Sequence, residues 1–163
     1  SFFPAAGGLD KAHVAQASYG QGEVLATPLG IALATAAVAN GGSIMKPHVV
    51  SQVLAYHGEV LDKTAPGVWL QPISARTADT MRALMVEVVN NGTGTRAALS
   101  GVQVAGKTGT AEVAEGEPHA WFAGFAPAGD PQVVVVALVE NAGTGGSVAA
   151  PVVREVIAAA LGL

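Results

Sequence analysis

Residues 101–113 read "GVQVAGKTGTAEV", and two incompatible structures fit them. Gly101 with Gly106, Lys107 and Thr108 satisfies G-x-x-x-x-G-K-[ST], the loop pattern that cradles phosphates. The same residues also read as one extended strand that carries Lys-Thr-Gly-Thr, 107–110, along a sheet margin. A phosphate loop needs a strand before the first glycine, an irregular loop across the four variable positions and a helix starting at the lysine, so that backbone N–H groups converge on the anion. The surroundings supply none of these. "TRAALS" precedes Gly101, and Val102, Gln103, Val104 and Ala105 alternate in a way that favours extension. Gly109, Gly116 and Pro118 then leave no room for a helix of useful length. Glu140, closing "VVVVALVE", imitates the acidic residue after a second nucleotide-binding strand, but a carboxylate ends many ordinary buried strands too. A strand over 102–111 is therefore predicted, with nucleotide binding kept as a remote alternative.

In such a strand side chains alternate, so Lys107 and Gly109 share one face and Thr108 and Thr110 the other. The free edge offers backbone N–H groups to an extended peptide. Gly109 removes a side chain where a substrate backbone would approach, and Lys107 supplies positive potential for a carboxylate or holds a neighbouring hydroxyl in place. Alone, the tripeptide describes an ordinary exposed strand equally well.

The 163 residues suit one domain or a large piece of one, and 50% hydrophobic residues with a mean hydropathy of +0.44 provide material for a core. Only 12% of residues are charged and the net charge is −4, which leaves no electrostatic footprint for nucleic acid or anionic lipid. Absence of cysteine excludes disulfides and thiolate metal sites without fixing a compartment. His13, His48, His57 and His119 show no metal-ligand spacing, so no metal and no cofactor are expected. The longest apolar stretch, "PLGIALATAAVANGG", falls short of the roughly 20 residues of a membrane span and reads as a buried helix. The opening "SFFPAAGG" carries no initiator Met, basic flank or apolar signal segment and reads as a cut edge.

Thr27 as cap, Pro28 in the first turn and Asn40-Gly41-Gly42 as terminator predict a helix over 28–40. "PHVVSQVLA" and "EVLDK" around Tyr56-His57-Gly58 predict a peripheral hairpin. After Ser74, Met81, Leu84, Met85 and Val88 form an apolar stripe on a helix that stops at Asn90-Asn91-Gly92. Strands at 102–111, 119–126 and 132–140 follow, antiparallel because their connections are short, with "PAGDP" turning between the last two. Val133 to Val136 should be covered on both faces. A closing helix over 147–162 should pack Val152, Val156 and Ala160 on the sheet.

Taken together, "ASYGQGEVLATPLGIALATAAVANGGSIMKPHVV", "NNGTGT", "VAGKTGTAE", "WFAGFAP" and "AAPVVREV" resemble, in order and spacing, the C-terminal part of the transpeptidase domain of bacterial penicillin-binding proteins. The resemblance covers nearly the whole chain and points to class B and, with the Ala, Gly and Val content, to an actinobacterium. It implies an α+β fold, an antiparallel sheet covered by helices as in β-lactamases, of which this chain holds three strands, the C-terminal helix, two earlier helices and a peripheral hairpin. The family carries S-x-x-K with the nucleophile, S-x-N, and K-T-G on the strand lining the site. Only the third is present here. "SIMK", Ser43 to Lys46, follows a helix terminator and precedes Pro47, so it is read as a decoy, a loop entering the hairpin. No S-x-N occurs; Ser18-Tyr19-Gly20 lacks the amide. Both motifs would lie upstream of Ser1, and with them the nucleophile.

The resemblance implies acyl transfer between peptidoglycan stem peptides, with β-lactams trapped at the acyl stage. Lys107 would polarise the hydroxyl of the absent S-x-N serine and attract the substrate carboxylate, Thr108 and Thr110 would ligate it, and the Thr110 backbone N–H would be one oxyanion donor. Gly109 would lie beside the bound peptide, and Gln21, between Gly20 and Gly22, would shape the far wall, although a plain turn explains that segment too. Trp121 and Phe122 read as core. Implied partners are the upstream part of the same protein, stem peptides, β-lactams and cell-wall or division proteins. The implied location is the outer face of the membrane, with an N-terminal anchor. A β-lactam sensor and a noncatalytic penicillin-binding module share these residues and stay open at this point.

Overall fold

The computed structural model describes residue 1 and residues 10–163. In chain order the elements are α1 (Lys11–Ser18), α2 (Pro28–Ala39), β1 (Ile44–Met45), β2 (Gln52–Leu54), β3 (Val60–Lys63), β4 (Val68–Leu70), α3 (Ala75–Asn90), β5 (Ala105–Ala111), β6 (His119–Ala126), β7 (Val133–Val139) and α4 (Ala149–Leu161), with a 3-10 turn at Thr95–Ala97 before β5. The main sheet is antiparallel, order β5-β6-β7, and two small antiparallel pairs, β1-β4 and β2-β3, stand apart from it. This is the α+β arrangement expected from the sequence.

Local chemistry sets the helix starts. The Thr27 hydroxyl accepts from the Gly30 N–H at 3.1 Å with Pro28 in the first turn, and Ser74 Oγ accepts from the Thr77 N–H at 3.1 Å. A helix that the sequence reading missed, α1, begins at an Asp10 cap, whose carboxylate accepts from the His13 N–H at 2.9 Å. It buries no residue, so it had no apolar periodicity to betray it.

Helices cover both faces of the sheet. Fully buried Phe122, Ala120 and Ala126 of β6 pack with Val89 of α3 and with Ala150, Val153 and Ile157 of α4. On the opposite face Ala105 and Phe125 pack with Val38 and Ala39 of α2 and Met85 of α3. β6, buried over six of its eight residues, is the centre of the fold. β7 touches α2 and α4 yet stays half-buried along its length, because it is the sheet's other margin among the described residues.

Two expected helix faces are wrong. On α3, Met85 is buried and Val88 half-buried, but Met81 and Leu84 are 41% and 57% exposed, and the packed column is Ala78, Met85 and Val89. On α4, Val152 and Val156 are each 45% exposed and Ala160 is exposed; Ala149, Ala150, Val153 and Ile157 face the sheet. Each helix carries more apolar columns than the sheet can touch, and the column used is fixed by where the neighbouring strand lies, not by the periodicity. The hairpin is confirmed as β2-β3, with every residue exposed. Ile44–Met45, expected as a loop entering it, is instead a strand paired with Val68–Leu70, a segment too short to carry a strand pattern of its own.

Candidate active site

The opening question is settled by β5. Ala105–Ala111 is a strand, in register with β6 from Ala105↔Phe125 to Ala111↔His119, and no helix starts at Lys107. It begins three residues later than expected; Val102 before it makes only an isolated bridge with Leu99. The phosphate-loop alternative is thereby overturned, since a ladder strand aims alternate N–H groups at its neighbour and cannot curl them around one anion. Glu140 lies exposed past the end of β7, as an ordinary strand-terminating carboxylate.

β5 is a margin of the sheet among the described residues, so half of its main-chain groups face away from β6. One contact fixes which half. Gln21 Nε2 donates to the Thr110 carbonyl at 3.0 Å, so that carbonyl points outward. In an antiparallel ladder the N–H and C=O of one residue point the same way, which puts the Thr110 N–H on the free edge and, two residues back, that of Thr108 beside it. Lys107 Nζ donates to the outward Thr108 carbonyl, and no carboxylate pairs with Lys107 among the described residues. The ammonium thus sits at the same margin with no counter-charge.

The side-chain alternation is as expected. Thr108 and Thr110 lie opposite Phe122 and Ala120, on the face covered by α4, while Lys107 and Gly109 lie opposite Ala123 and Trp121. A methyl on Gly109 would sit 3.0 Å from Trp121 Cβ. Phe122 is core; Trp121 is half-buried against Gly109.

Beside the two threonines is a cavity of about 490 Å³, lined by Thr93, Thr95, Arg96, Thr108, Thr110, Thr144 and Ser147 with Gly92 and Gly146. It presents six hydroxyls and one guanidinium, with no carboxylate. The sequence analysis assigns no site role to any residue of the loops at 90–95 and 143–147. Their signal was the glycine spacing, which lets both loops press against the strand: a methyl on Gly145 would stand 1.9 Å from the Trp121 carbonyl oxygen, and one on Gly146 would stand 2.3 Å from that of Thr93. Thr144 Oγ1 and Ser147 Oγ are 2.7 Å apart, and Arg96 Nη1 donates to the Ser147 carbonyl at 3.1 Å, which ties the two loops together.

Ser43 and Lys46 line a different cavity, of about 560 Å³, between the C-terminal end of α2 and the start of β7, and none of residues 107–110 borders it. Ser43 precedes a strand rather than opening a helix, so "SIMK" lacks the geometry of a nucleophile motif. His119 Nδ1 accepts from the Asn141 N–H at 3.0 Å and fastens the far end of β6 to the turn after β7.

An antiparallel sheet between helices, with Lys-Thr-Gly on its margin, belongs to the penicillin-recognising transpeptidases, and comparison with known proteins agrees. Residues 4–158 match the penicillin binding protein transpeptidase domain, and the chain belongs to that family. The peptidoglycan D,D-transpeptidase PbpA of Mycolicibacterium smegmatis is 40% identical over 162 residues, covering 94% of this chain and 33% of that protein. The imipenem acyl-enzyme complex of penicillin-binding protein A from Mycobacterium tuberculosis superposes with a TM-score of 0.87 at 39% identity, over 93% of this chain and 34% of that one. The D,D-transpeptidase domain of a peptidoglycan glycosyltransferase from Eggerthella lenta gives 0.80 at 42%, over 84% and 32%. The chain spans about a third of the length of these curated relatives.

Proposed function

We propose that these residues are the C-terminal part of a serine D,D-transpeptidase domain, whose nucleophile and S-x-N serine are contributed by sequence upstream of Ser1. A serine Oγ attacks the penultimate D-Ala carbonyl of a stem peptide, the terminal D-Ala leaves with the proton, and the amine of a second stem peptide displaces the serine to form the cross-link. β-Lactams stop at the acyl stage. Within that scheme Thr110 donates its N–H to the developing oxyanion, and losing such a donor raises the barrier by about 3 kcal/mol. Lys107 polarises the S-x-N hydroxyl and draws in the substrate carboxylate, Thr108 and Thr110 ligate it, and Gly109 leaves room for the peptide. Gln21, expected to wall the cleft and bind substrate, is better placed to hold the Thr110 peptide group at the edge of β5.

The outward Thr110 main chain carries this reading. Exposed Leu29, Met81 and Leu84 support the placement within a larger domain, since large apolar side chains on α2 and α3 suit a covering layer. The working enzyme would stand on the outer face of the cell membrane, anchored by an upstream segment; among the described residues no helix is long and apolar enough to cross a membrane. Upstream residues, stem peptides, β-lactams and cell-wall or division proteins are its partners.

Fluorescent penicillin tests the assignment. The full-length polypeptide should keep covalent label through denaturation, and residues 1–163 expressed alone should not. An unlabelled full-length protein, or a labelled fragment, overturns the proposal.

A further inference from the structure

Thr93 Oγ1 and Thr108 Oγ1 are 2.7 Å apart, a good hydroxyl-to-hydroxyl hydrogen bond between residues on separate elements. Thr93 sits in the loop after α3, and its main chain is held from two sides. The Gly94 N–H donates to the Val88 carbonyl at 2.9 Å, which closes the end of the helix, and Gly146 packs so tightly on the Thr93 carbonyl that no side chain fits between them. The place a Gly146 Cβ would take is also 3.5 Å from Thr108 Cγ2, so the loop that pins Thr93 lies on the side of the Thr108 methyl. A threonine on a sheet margin has three staggered χ1 rotamers and would distribute its hydroxyl among them. Here the methyl meets the Gly146 loop and the hydroxyl meets Thr93.

We infer that Thr93 is a positioning residue for this site: its hydroxyl, as donor of the pair, fixes the rotamer of Thr108 and leaves the Thr108 proton free for an acceptor in the adjoining cavity. The inference rests on the reading of Thr108 as a ligand of the substrate carboxylate. A hydroxyl already engaged on one side and held in one rotamer meets a carboxylate without loss of side-chain freedom, so Thr93 contributes to binding before acylation and not to the chemical step.

The experiment compares acylation of the full-length protein by benzylpenicillin and by its carboxyl methyl ester, resolved into the pre-acylation binding constant and the acylation rate constant. Thr93→Val keeps the shape and removes the hydroxyl; it should weaken benzylpenicillin binding by about five- to tenfold, the range of one neutral hydrogen bond, with the rate constant unchanged. Thr93→Ser should stay within about twofold of wild type. The loss should vanish when Thr108→Val is already present, and should be absent for the ester. Should Thr93→Val not yield folded protein, Thr93→Ala is read in the same way. A Thr93→Val or Thr93→Ala protein that matches wild type overturns the inference, as does a loss that persists in the Thr108→Val background or on the ester, because that is the signature of a merely structural role. A wild-type protein that takes up no penicillin at all overturns the functional reading itself, an outcome separate from either.

Discussion

Gly145→Ala places one methyl group against the strand that carries the site. The new Cβ would stand 1.9 Å from the Trp121 carbonyl oxygen, 2.5 Å from the Gly109 carbonyl oxygen and 3.0 Å from the Gly109 nitrogen. Reaching an ordinary contact of 3.4 Å requires a separation of about 1.5 Å from the closest atom. All three neighbours are backbone, and Gly109 and Trp121 are partners in the β5-β6 ladder, so no side chain can swing aside. Overpacking of this kind costs about 1–3 kcal/mol, and an unyielding backbone on one side puts the cost at the upper end, about 3 kcal/mol. Melting of the full-length protein, followed by differential scanning fluorimetry, should fall by about 5 °C or more. Because two of the three atoms belong to Gly109, the acylation rate should fall further, by about 100-fold for a shift of about 1 Å. Gly67→Ala is the control: a Cβ there meets nothing within 4 Å, and its melting should stay within about 0.5 kcal/mol of wild type. If Gly145→Ala melts with wild type and acylates at the wild-type rate, the close approach of the 143–147 loop to β5 is not what shapes this site.

Thr110→Pro removes the N–H assigned to the oxyanion while taking no bond from the β5-β6 ladder, since that group faces the free edge and proline is tolerated on sheet margins. Acylation should drop by about 10²–10³ with melting changed by only a few degrees, and retention of the wild-type rate in stopped-flow would place the donor elsewhere. At the start of α1, hydrogen bonds from the His13 N–H and then the His13 side chain hold the Asp10 carboxyl below its usual range. Its folded pKa is the lower one, so the cap supports α1 above the ordinary carboxylate value of about 4 and is lost as pH falls through the folded value. Hydrogen-exchange protection of the α1 amides, taken relative to intrinsic exchange at each pH, should fall as pH drops over that interval, and Asp10→Asn, which caps without titrating, should flatten the dependence. A profile identical in the two proteins would refute the cap's role.

Much of this molecule was legible before any coordinates. The three sheet strands, α2 and α3 follow from capping residues, glycine and proline punctuation and apolar runs, all of which act within a few residues of themselves. Local alternation also chose the strand over the phosphate loop, although the strand begins at Ala105 and not at residue 102. The elements that escaped were those with no pattern to show: α1, which buries nothing, and the β1-β4 pair, whose partners lie more than twenty residues apart and span only two or three residues each.

By itself the sequence determined the three sheet strands, α2 and α3, and that Lys107 to Thr110 form an extended run with alternating faces. Only the tertiary structure decided which way that run's main chain points, through one amide from Gln21, eighty-nine residues away. Tertiary contacts likewise chose Ala78, Met85 and Val89 over Met81 and Leu84 on α3, and brought Thr93 and Gly146 beside Thr108. The physical reason is range. Propensity, capping and periodicity are properties of neighbours along the chain, whereas the free edge of a strand, the buried column of a helix and the rotamer of a hydroxyl depend on what the folded chain sets beside them.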